Sequence, residues 1–307
     1  MTSILERPFS GRAAQSRDMK VTIKAATDIG KVRDHNEDSF LTLGGKSSPP
    51  GFDALLVVAD GMGGHAAGEV ASQMTVDGIK RMLASEDLES PDLEGNAFGA
   101  FLGKVLESVN QEVWEAGQTP EKQGMGTTCT LAAMRGDQLF LAHIGDSRAY
   151  LLRDGELHQV STDHSWVEEA VAMGTLTREE ARVHPNRNVI TRAIGLDPQP
   201  QIDTSVMPLA DGDLLLLCSD GLNAMIPDEE IHRILTGSGP EDICQALIDA
   251  ANNQGGHDNT TVVVATIGAR RKTPAVIQPS ASDQDTQEVT ITSAWWKRVV
   301  RAILRRR

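Results

Sequence analysis

The stretch LLVVADGMGGHAAGEVAS, residues 55–72, ends an apolar run on Asp60 and follows it at once with glycines. A short apolar run bounded by Gly and Asp predicts a buried strand. A carboxylate at the end of such a strand often caps the next helix. It can also hold a metal ion, and the choice depends on whether other carboxylates stand in the same context.

Several other segments place an acidic residue at the end of a strand. LLLLCSDGL puts Asp220 after an apolar run, and GGHDNTTVVV puts Asp258 just before another. HIGDSRAY puts Asp146 in a turn between two strands, and RDHNEDSF puts Glu37 and Asp38 shortly before an apolar pair. Strand ends of this kind can meet at one rim of a sandwich of sheets, so we expect these carboxylates to cluster.

Clustered carboxylate oxygens suit Mg²⁺ or Mn²⁺, which are hard ions that keep several waters and need few protein ligands. Two such ions about 3.5–4 Å apart can share a hydroxide that attacks a phosphorus atom in line. Gly61, beside Asp60, lets a backbone carbonyl or a substrate phosphate approach closely. Arg33 is the natural phosphate ligand of this set, because its planar fork matches two phosphate oxygens.

The composition is that of an ordinary globular protein with an acidic body. The chain has 307 residues and a formal net charge of −14, which argues against nucleic acid as the main partner. Its three cysteines are widely spaced, form no disulfide or zinc pattern and fit a reducing compartment. The N-terminal residues lack the apolar run of a secretion signal, and no stretch approaches the length of a membrane span. We therefore expect a cytoplasmic protein.

Apolar runs, turns and helical patterns follow one another over residues 19–268, which predicts one domain after an N-terminal extension at residues 1–18. Strands with helices at uneven positions favour an α+β layered fold. Residues 127–160 predict a β-meander with a turn at Gly145-Asp146-Ser147. The predicted buried strands are Phe52–Ala59, Leu214–Cys218 and Thr260–Thr266, and the predicted helices are Ala66–Leu83, Phe98–Trp114, Asp228–Leu235 and Pro240–Asn252.

The C-terminal part of the chain differs in composition. Residues 269–291 are rich in Pro, Ser, Gln, Asp and Thr and predict a flexible linker. Residues 292–307, TSAWWKRVVRAILRRR, predict a basic amphipathic segment. Residues 270–307 have a net charge of +6, so residues 1–269 have a net charge of −20. Three interpretations stay open: contact with an anionic membrane at its inner face, docking on an acidic partner or on this protein's own acidic body, and a solvated tail.

The order of the motifs resembles the protein phosphatase 2C family of metal-dependent Ser/Thr phosphatases, in its bacterial form. One Asp-Gly pair would mean little, but seven blocks in the family's order over nearly all of residues 20–267 are a specific match. The blocks are RDHNEDSF, VVADGMGGHAAGEVAS, GMGTTCTLAA, AHIGDSRAYLLRDGELHQVSTDHSWV, NVITRAIG, LLLLCSDGL and GGHDNTTVVV.

This resemblance implies a four-layer α-β-β-α sandwich, in which two antiparallel sheets are flanked by helices. It also implies two Mn²⁺ or Mg²⁺ ions in each active site. Asp60 would bridge both ions, and Gly61 would lend its carbonyl oxygen. Asp220 and Asp258 would complete the shell of one ion, while Glu37 would hold water on the other.

Further roles follow from the same resemblance. Asp146 would help to hold a third, weaker ion, and Arg33 would bind the phosphate. Residues 163–188 would form a mobile flap beside the site. Many eukaryotic relatives have a histidine directly after the Asp-Gly pair, thought to act as general acid, whereas this chain has Met62 there. The proton donor stays open between His65 and a metal-bound water.

On this resemblance we expect a phosphoprotein phosphatase that hydrolyses phosphoserine and phosphothreonine by attack of a hydroxide bridging two Mg²⁺ or Mn²⁺ ions. Its substrates would be phosphorylated proteins, and it would reverse a bacterial Ser/Thr kinase. One alternative is a phosphoprotein-binding module that keeps the fold without turnover. Another is a cysteine-dependent phosphatase, suggested by the Cys-x5-Arg spacing of Cys129 and Arg135. The residues between them lack glycine and predict a strand, so we expect Cys129 to be a core residue.

Overall fold

The computed structural model describes most of the predicted domain. The described residues are 20–63, 67–84, 95–239 and 242–268. They belong to one compact unit of the chain. The predictions for residues 1–18, 269–291 and 292–307 therefore lie outside the described residues, and so does His65.

Two antiparallel sheets form the centre of the described part. In chain order, the strands are β1 (Val21–Asp28), β2 (Asp38–Gly44), β3 (Ala54–Met62), β4 (Gly126–Thr127), β5 (Cys129–Arg135), β6 (Gln138–Ile144), β7 (Arg148–Arg153), β8 (Glu156–Gln159), β9 (Asp203–Pro208), β10 (Leu214–Cys218) and β11 (Thr260–Ile267). One sheet has the order β1-β11-β10-β7-β8 and the other has the order β2-β3-β5-β6-β9, with β4 paired to β3. The first and last strands pair along their whole length, with Val21 opposite Ile267.

Helices cover the outer faces of both sheets. They are α1 (Ala67–Ala84), α2 (Asn96–Ala116), α3 (Trp166–Ala172), α4 (Arg178–Val183), α5 (Asp220–Asn223), α6 (Asp228–Gly237) and α7 (Ile243–Asn253). Helices α1 and α2 pack on the β3 sheet, and α5 to α7 pack on the β10 sheet. Within the described residues, no helix has both the length and the apolar character that crossing a membrane requires.

The alternation of side chains along β3 shows how the layers are built. Ala54, Leu56 and Val58 face the opposing sheet, where they join a core made by residues of both sheets. The alternate residues of β3 face α1 and α2 instead. Because successive side chains of a strand point to opposite faces, Asp60 continues the row that faces the other sheet. The predicted four-layer α-β-β-α sandwich is confirmed.

The predicted meander is wrong at one turn. Strands β5 and β6 form a hairpin and β7 and β8 form another, but β6 and β7 lie in different sheets. Gly145 therefore lies where the chain crosses from one sheet to the other. Its φ of +110° is unfavourable for other residues, and a Cβ at this position would lie 2.5 Å from Thr128 Cβ. This crossing leaves Asp146 at the rim between the sheets.

Candidate metal centre

Two aspartates lie side by side at the rim of the β3 sheet. Asp60 pairs across the strands with Asp38 of β2, so both side chains are on the face that meets the opposing sheet. The predicted strand ends at Ala59, whereas β3 continues to Met62. Asp60 is thus a strand residue, and the helix-capping alternative is wrong because α1 begins only at Ala67.

The opposing sheet brings two more aspartates to the same rim. Asp220 directly follows Ser219 at the end of β10, and Asp258 precedes the neighbouring antiparallel strand β11. The carboxyl group of Asp220 lies near that of Asp60, and each influences the ionisation of the other. The hydroxyl of Ser219 donates a 2.7 Å hydrogen bond to Asp38 and so connects the two sheets at this point. The predicted convergence of strand ends is therefore seen between sheets as well as within them.

Burial and mutual repulsion make these carboxyl groups hard to ionise. Burial raises the pKa of Asp60 well above its ordinary value, and the charges of Asp38, Asp220 and Asp146 raise it further. Burial, with the charge of Asp258, raises the pKa of Asp220 to about 6. Burial also raises the pKa of Asp38 to about 7, although hydrogen bonds oppose the shift. Carboxylates forced together in this way are stabilised by a cation among them.

A close approach between β3 and the start of α1 requires glycine at position 61. A Cβ on Gly61 would overlap the carbonyl oxygen of Gly68 and lie 2.5 Å from the carbonyl oxygen of Glu37. The N–H of Gly61 donates a 3.2 Å hydrogen bond to that same Glu37 carbonyl. The backbone of Gly61 is thus held against the segment that carries the Glu37 carboxylate.

Asn259 holds the segment before β2 in place. Its Oδ1 accepts a 2.8 Å hydrogen bond from the N–H of Glu37. Its Nδ2 donates 2.9 Å hydrogen bonds to the carbonyl oxygens of Ile29 and His35. Because Asn259 directly follows Asp258, these bonds fix the position of Glu37 relative to the β11 end of the rim.

Arg33 lies on this same segment at the mouth of the cluster. Its Nη2 donates a 2.7 Å hydrogen bond to Oδ2 of Asp258, and about half of its side chain is exposed to solvent. A half-exposed guanidinium with one contact to the cluster has donors left for a ligand such as phosphate. The geometry therefore allows the phosphate-binding role predicted for Arg33.

Asp146 is buried, and its Oδ1 has no hydrogen-bond partner among the described residues. Burial raises its pKa well above the ordinary value, and the charges of Asp220 and Asp163 add to the shift. The turn is linked to β3 through Thr128, whose hydroxyl contacts that of Ser147 at 2.7 Å and accepts a 2.9 Å hydrogen bond from the N–H of Asp60.

The chemistry of the donor set fits hard divalent ions. The side chains that meet at the rim are carboxylates, and buried Oδ1 atoms of Asp38 and Asp146 have no hydrogen-bond partner in the described part of the chain. Hard ions such as Mg²⁺ and Mn²⁺ prefer oxygen donors of this type. Within the described ranges, no three His, Cys, Asp or Glu side chains are placed so that together they could hold a metal ion. The fit therefore rests on the donor chemistry and on the charge that needs neutralising.

The structure does not bring Cys129 and Arg135 together. They stand at opposite ends of strand β5, which puts them about 20 Å apart at the rise of an extended chain. Burial raises the pKa of the Cys129 thiol, so it is protonated at neutral pH. The cysteine-dependent alternative therefore has no supporting geometry.

A cleft of about 780 Å³ opens beside the rim. Asp146 and Asp220 are among its lining residues. The predicted flap, residues 163–188, contributes lining residues from α3 and α4, and the start of α6 contributes others. The cleft therefore connects the carboxylate cluster with the solvent along the flap.

The predicted metal-binding residues that the structure describes lie at or beside this rim, but no three of their carboxylates are placed to hold one ion together. Asp38, which is expected from the sequence to join the cluster but has no predicted ligand role, lies beside Asp60. The signal that could have identified it is its spacing in β2, because Phe40 faces the intersheet core and Asp38 is two residues away on the same face. Its partner Ser219 could not be identified in this way, since the contact joins two sheets.

Comparisons with known proteins agree with this geometry. A family model described as protein phosphatase 2C matches residues 31–266. The serine/threonine phosphatase stp of Listeria monocytogenes is 39% identical to this chain over 241 residues, which are 78% of this chain and 92% of that protein.

Solved structures show the same similarity. The structure of the S. agalactiae serine/threonine phosphatase matches with a TM-score of 0.73 and 38% identity, over 80% of this chain and 99% of that one. The catalytic domain of the serine threonine protein phosphatase PstP, in complex with two manganese ions, matches with a TM-score of 0.68 and 37% identity, over 82% and 100% of the two chains.

The raised pKa of Asp38 predicts a pH-dependent effect of Asp38→Asn on stability. As pH rises above the ordinary value of 3.8, the unfolded carboxyl group ionises while the folded one keeps its proton up to about pH 7. Wild-type stability is thereby lost across this range, and the neutral amide avoids the loss. In EDTA, we expect Asp38→Asn to become more stable relative to wild type between pH 5 and pH 8, by on the order of a few kcal/mol.

Urea unfolding of both proteins at each pH measures this difference. Burial lowers the pKa of His143 to about 3, so this histidine changes the pH dependence of stability in the opposite direction. Both proteins contain His143, and its contribution cancels when they are compared. A difference that stays constant with pH would show that Asp38 is ionised at neutral pH in the folded protein.

Proposed function

Because this chain belongs to the protein phosphatase 2C family, we propose that the carboxylates at its sheet rim hold the divalent ions of that family's active site. The chain is a metal-dependent protein-serine/threonine phosphatase, a phosphoric monoester hydrolase. The observation that carries the assignment of the site is the meeting of Asp60 and Asp220, from opposing sheets, with burial raising the pKa of both.

We assign the ligand roles residue by residue. Asp60 is proposed to contact both ions, and the carbonyl of Gly61 to contact one of them. Asp220 and Asp258 are proposed to be ligands of the other ion. Glu37 is proposed to act through water. The hydrogen bonds from Asn259 to the Glu37 segment support the last assignment, because they keep that carboxylate beside β11.

The identity of the ions is proposed as Mn²⁺ or Mg²⁺, two in each site. The complex of PstP with two manganese ions supports this proposal, and so does the all-oxygen donor set. We propose that Asp146, with Asp220, takes part in holding a third and weaker ion. The support is the buried Oδ1 of Asp146, which has no partner among the described residues.

Divalent ions bound at this rim supply a nucleophile from water at neutral pH and neutralise charge on the phosphoryl group. Arg33 is proposed to bind two oxygens of the phosphate with its planar fork and to orient it for in-line attack. Its hydrogen bond to Asp258 places the guanidinium next to the proposed metal ligands. We propose His65 as the proton donor to the departing oxygen, in a part of the chain outside the described residues.

The cleft beside the flap is the proposed site for the substrate protein. A phosphorylated Ser or Thr entering it would come close to Asp146 and Asp220, which line it together with residues of the flap and of α6. We propose that the substrates are phosphorylated proteins and that the enzyme reverses a bacterial Ser/Thr kinase. In that role it would act in signal transduction in the cytoplasm.

For the basic C-terminal segment, residues 292–307, we propose contact with an anionic surface. Its sequence combines Trp and aliphatic residues with Lys and Arg at helical spacing. Either the inner face of a membrane or an acidic partner protein offers such a surface. We favour the membrane, because Trp residues are common at the water–lipid interface.

Metal dependence and the Asp258→Ala substitution test the proposed site. We expect hydrolysis of an aryl phosphate and of a phosphothreonine peptide to require Mn²⁺ or Mg²⁺ and to stop in excess EDTA. Asp258→Ala should lower kcat/KM by at least about a hundredfold, a loss of about 2.7 kcal/mol in transition-state stabilisation. Cys129→Ser is the matched control and should stay active. Activity that survives EDTA but not Cys129→Ser would reverse the assignment, and no turnover with any metal would favour the binding-module alternative.

Substitution of Arg33 tests phosphate binding. We expect Arg33→Ala to raise KM for the phosphopeptide by about tenfold or more, since charge-assisted hydrogen bonds contribute about 1.5–3 kcal/mol. Arg33→Lys should recover only part of the loss, because an ammonium group cannot form the paired contact. Steady-state kinetics at saturating Mn²⁺ measure both parameters, and an unchanged KM in Arg33→Ala would contradict the role.

Vesicle binding tests the C-terminal segment. We expect the full chain to sediment with vesicles of phosphatidylglycerol but not with vesicles of phosphatidylcholine alone, since each basic residue near an anionic surface adds about 1 kcal/mol. A chain ending at residue 268 should lose this binding and keep its activity on the aryl phosphate. Equal sedimentation of the two chains would show that the segment does not bind lipid.

A further inference from the structure

His164 lies at the entrance of the flap and is buried beside the turn that carries Asp146. The N–H of Gly145 donates a 3.1 Å hydrogen bond to Nδ1 of His164. The carbonyl oxygen of Gly145 accepts a 2.7 Å hydrogen bond from the backbone N–H of His164. Both backbone polar groups of the residue before Asp146 are therefore bonded to this one histidine.

These contacts determine the tautomer of His164. Its Nδ1 accepts a hydrogen bond from an amide, so it carries no proton. The proton is then on Nε2, which lies 3.2 Å from Oδ2 of Asp203 in β9 and donates to it. Burial opposes ionisation of Asp203, but hydrogen bonds from His164 and Arg192 outweigh it and lower the pKa of Asp203 to about 2. The imidazole is thus held between a charged acceptor and the turn.

Asp163, the residue before His164, bonds to the residue that directly follows the same turn. Asp163 accepts three hydrogen bonds from the guanidinium of Arg148, at 2.7–3.0 Å. Arg148 begins β7 directly after the turn. Asp163 and His164 therefore bind the turn on both sides of Asp146. His164 bonds to Gly145, and Asp163 bonds to Arg148.

The residues just after the flap bond to those at its start. Ser165 pairs with Ile190, and the N–H of Thr191 donates a 2.8 Å hydrogen bond to the carbonyl oxygen of His164. Both ends of the flap therefore meet at His164. Hydrogen bonds of His164 thus connect the flap base with the backbone of Gly145.

We propose that His164 is a positioning residue that sets the orientation of Asp146 and thereby the affinity of the weak third ion. The inference rests on the proposed function, which assigns that ion to Asp146. Since Oδ1 of Asp146 has no partner in the described residues, the backbone of its turn governs where the carboxylate lies. The histidine acts through Gly145 and touches neither substrate nor ion.

Two substitutions separate the contacts of His164. His164→Asn keeps an oxygen acceptor at the position of Nδ1 and loses the contact with Asp203. His164→Gln places its amide near the position of Nε2 and leaves the buried N–H of Gly145 without an acceptor. Asp146→Asn removes the proposed ligand itself. Asp203→Ala, at a side chain that is 43% exposed, releases the imidazole and also removes the ion-pair partner of Arg192.

The test is a Mn²⁺ titration of each full-length protein, in which the electron paramagnetic resonance signal measures the concentration of free Mn²⁺. A parallel assay gives the Mn²⁺ concentration for half-maximal hydrolysis of an aryl phosphate. We expect Asp146→Asn and His164→Gln to weaken the weakest class of bound Mn²⁺ by about 10–100-fold, with KM for the aryl phosphate unchanged in His164→Gln. His164→Asn should restore most of the affinity, and Asp203→Ala should lie between. Thermal unfolding identifies any variant that is not folded.

The outcomes distinguish this inference from the proposed function. Normal Mn²⁺ binding by folded His164→Gln and Asp203→Ala, with weak binding by Asp146→Asn, would overturn the positioning role alone. Normal binding by Asp146→Asn would show that Asp146 holds no ion, and the inference would then fail together with that assignment. An equal loss in His164→Asn and His164→Gln would also overturn it, because the acceptor at Nδ1 would then be irrelevant.

Discussion

Repulsion among carboxylates that two packed sheets bring to one rim is the interaction on which the rest of the centre depends. The sheets meet through alternating apolar rows, and the row of β3 ends on Asp60. Asp220 approaches from the opposing sheet. The apolar packing therefore holds acidic groups at a separation that they would not adopt in water. A cation among the carboxylates would relieve this repulsion, which is why the rim suits the proposed divalent ions.

The parts of this structure that local patterns determine were predictable from the sequence. The strand Leu214–Cys218 has the predicted bounds, because its run of apolar residues is short and ends before Asp220. The predicted helix Ala66–Leu83 agrees with α1 to within one residue at either end. Carboxylates at strand ends were recognisable for the same reason, since a strand end is a local feature.

Contacts between distant segments were not predictable in this way. The hairpins around Gly145 look like one meander, because the turn signals do not say which sheet each strand joins. The bond from Ser219 to Asp38 joins residues 181 positions apart. His164 lies in a segment whose sequence suggests only a flap, and its role depends on a turn and on strand β9, both remote in the chain. Such contacts arise from the packing of the sheets, which one sequence does not reveal.

The pairing of the first strand with the last has a consequence for the synthesis of this protein. Strand β11 lies between β1 and β10, and Asp258 and Asn259 directly precede it. A chain still emerging from the ribosome therefore lacks a central strand, one proposed ligand and the side chain that holds the Glu37 segment. Among the described strands, β1 pairs only with β11, so it stays unpaired until nearly the whole domain has been made. On the proposed function, a partial chain that ends before β11 cannot yet form the complete site.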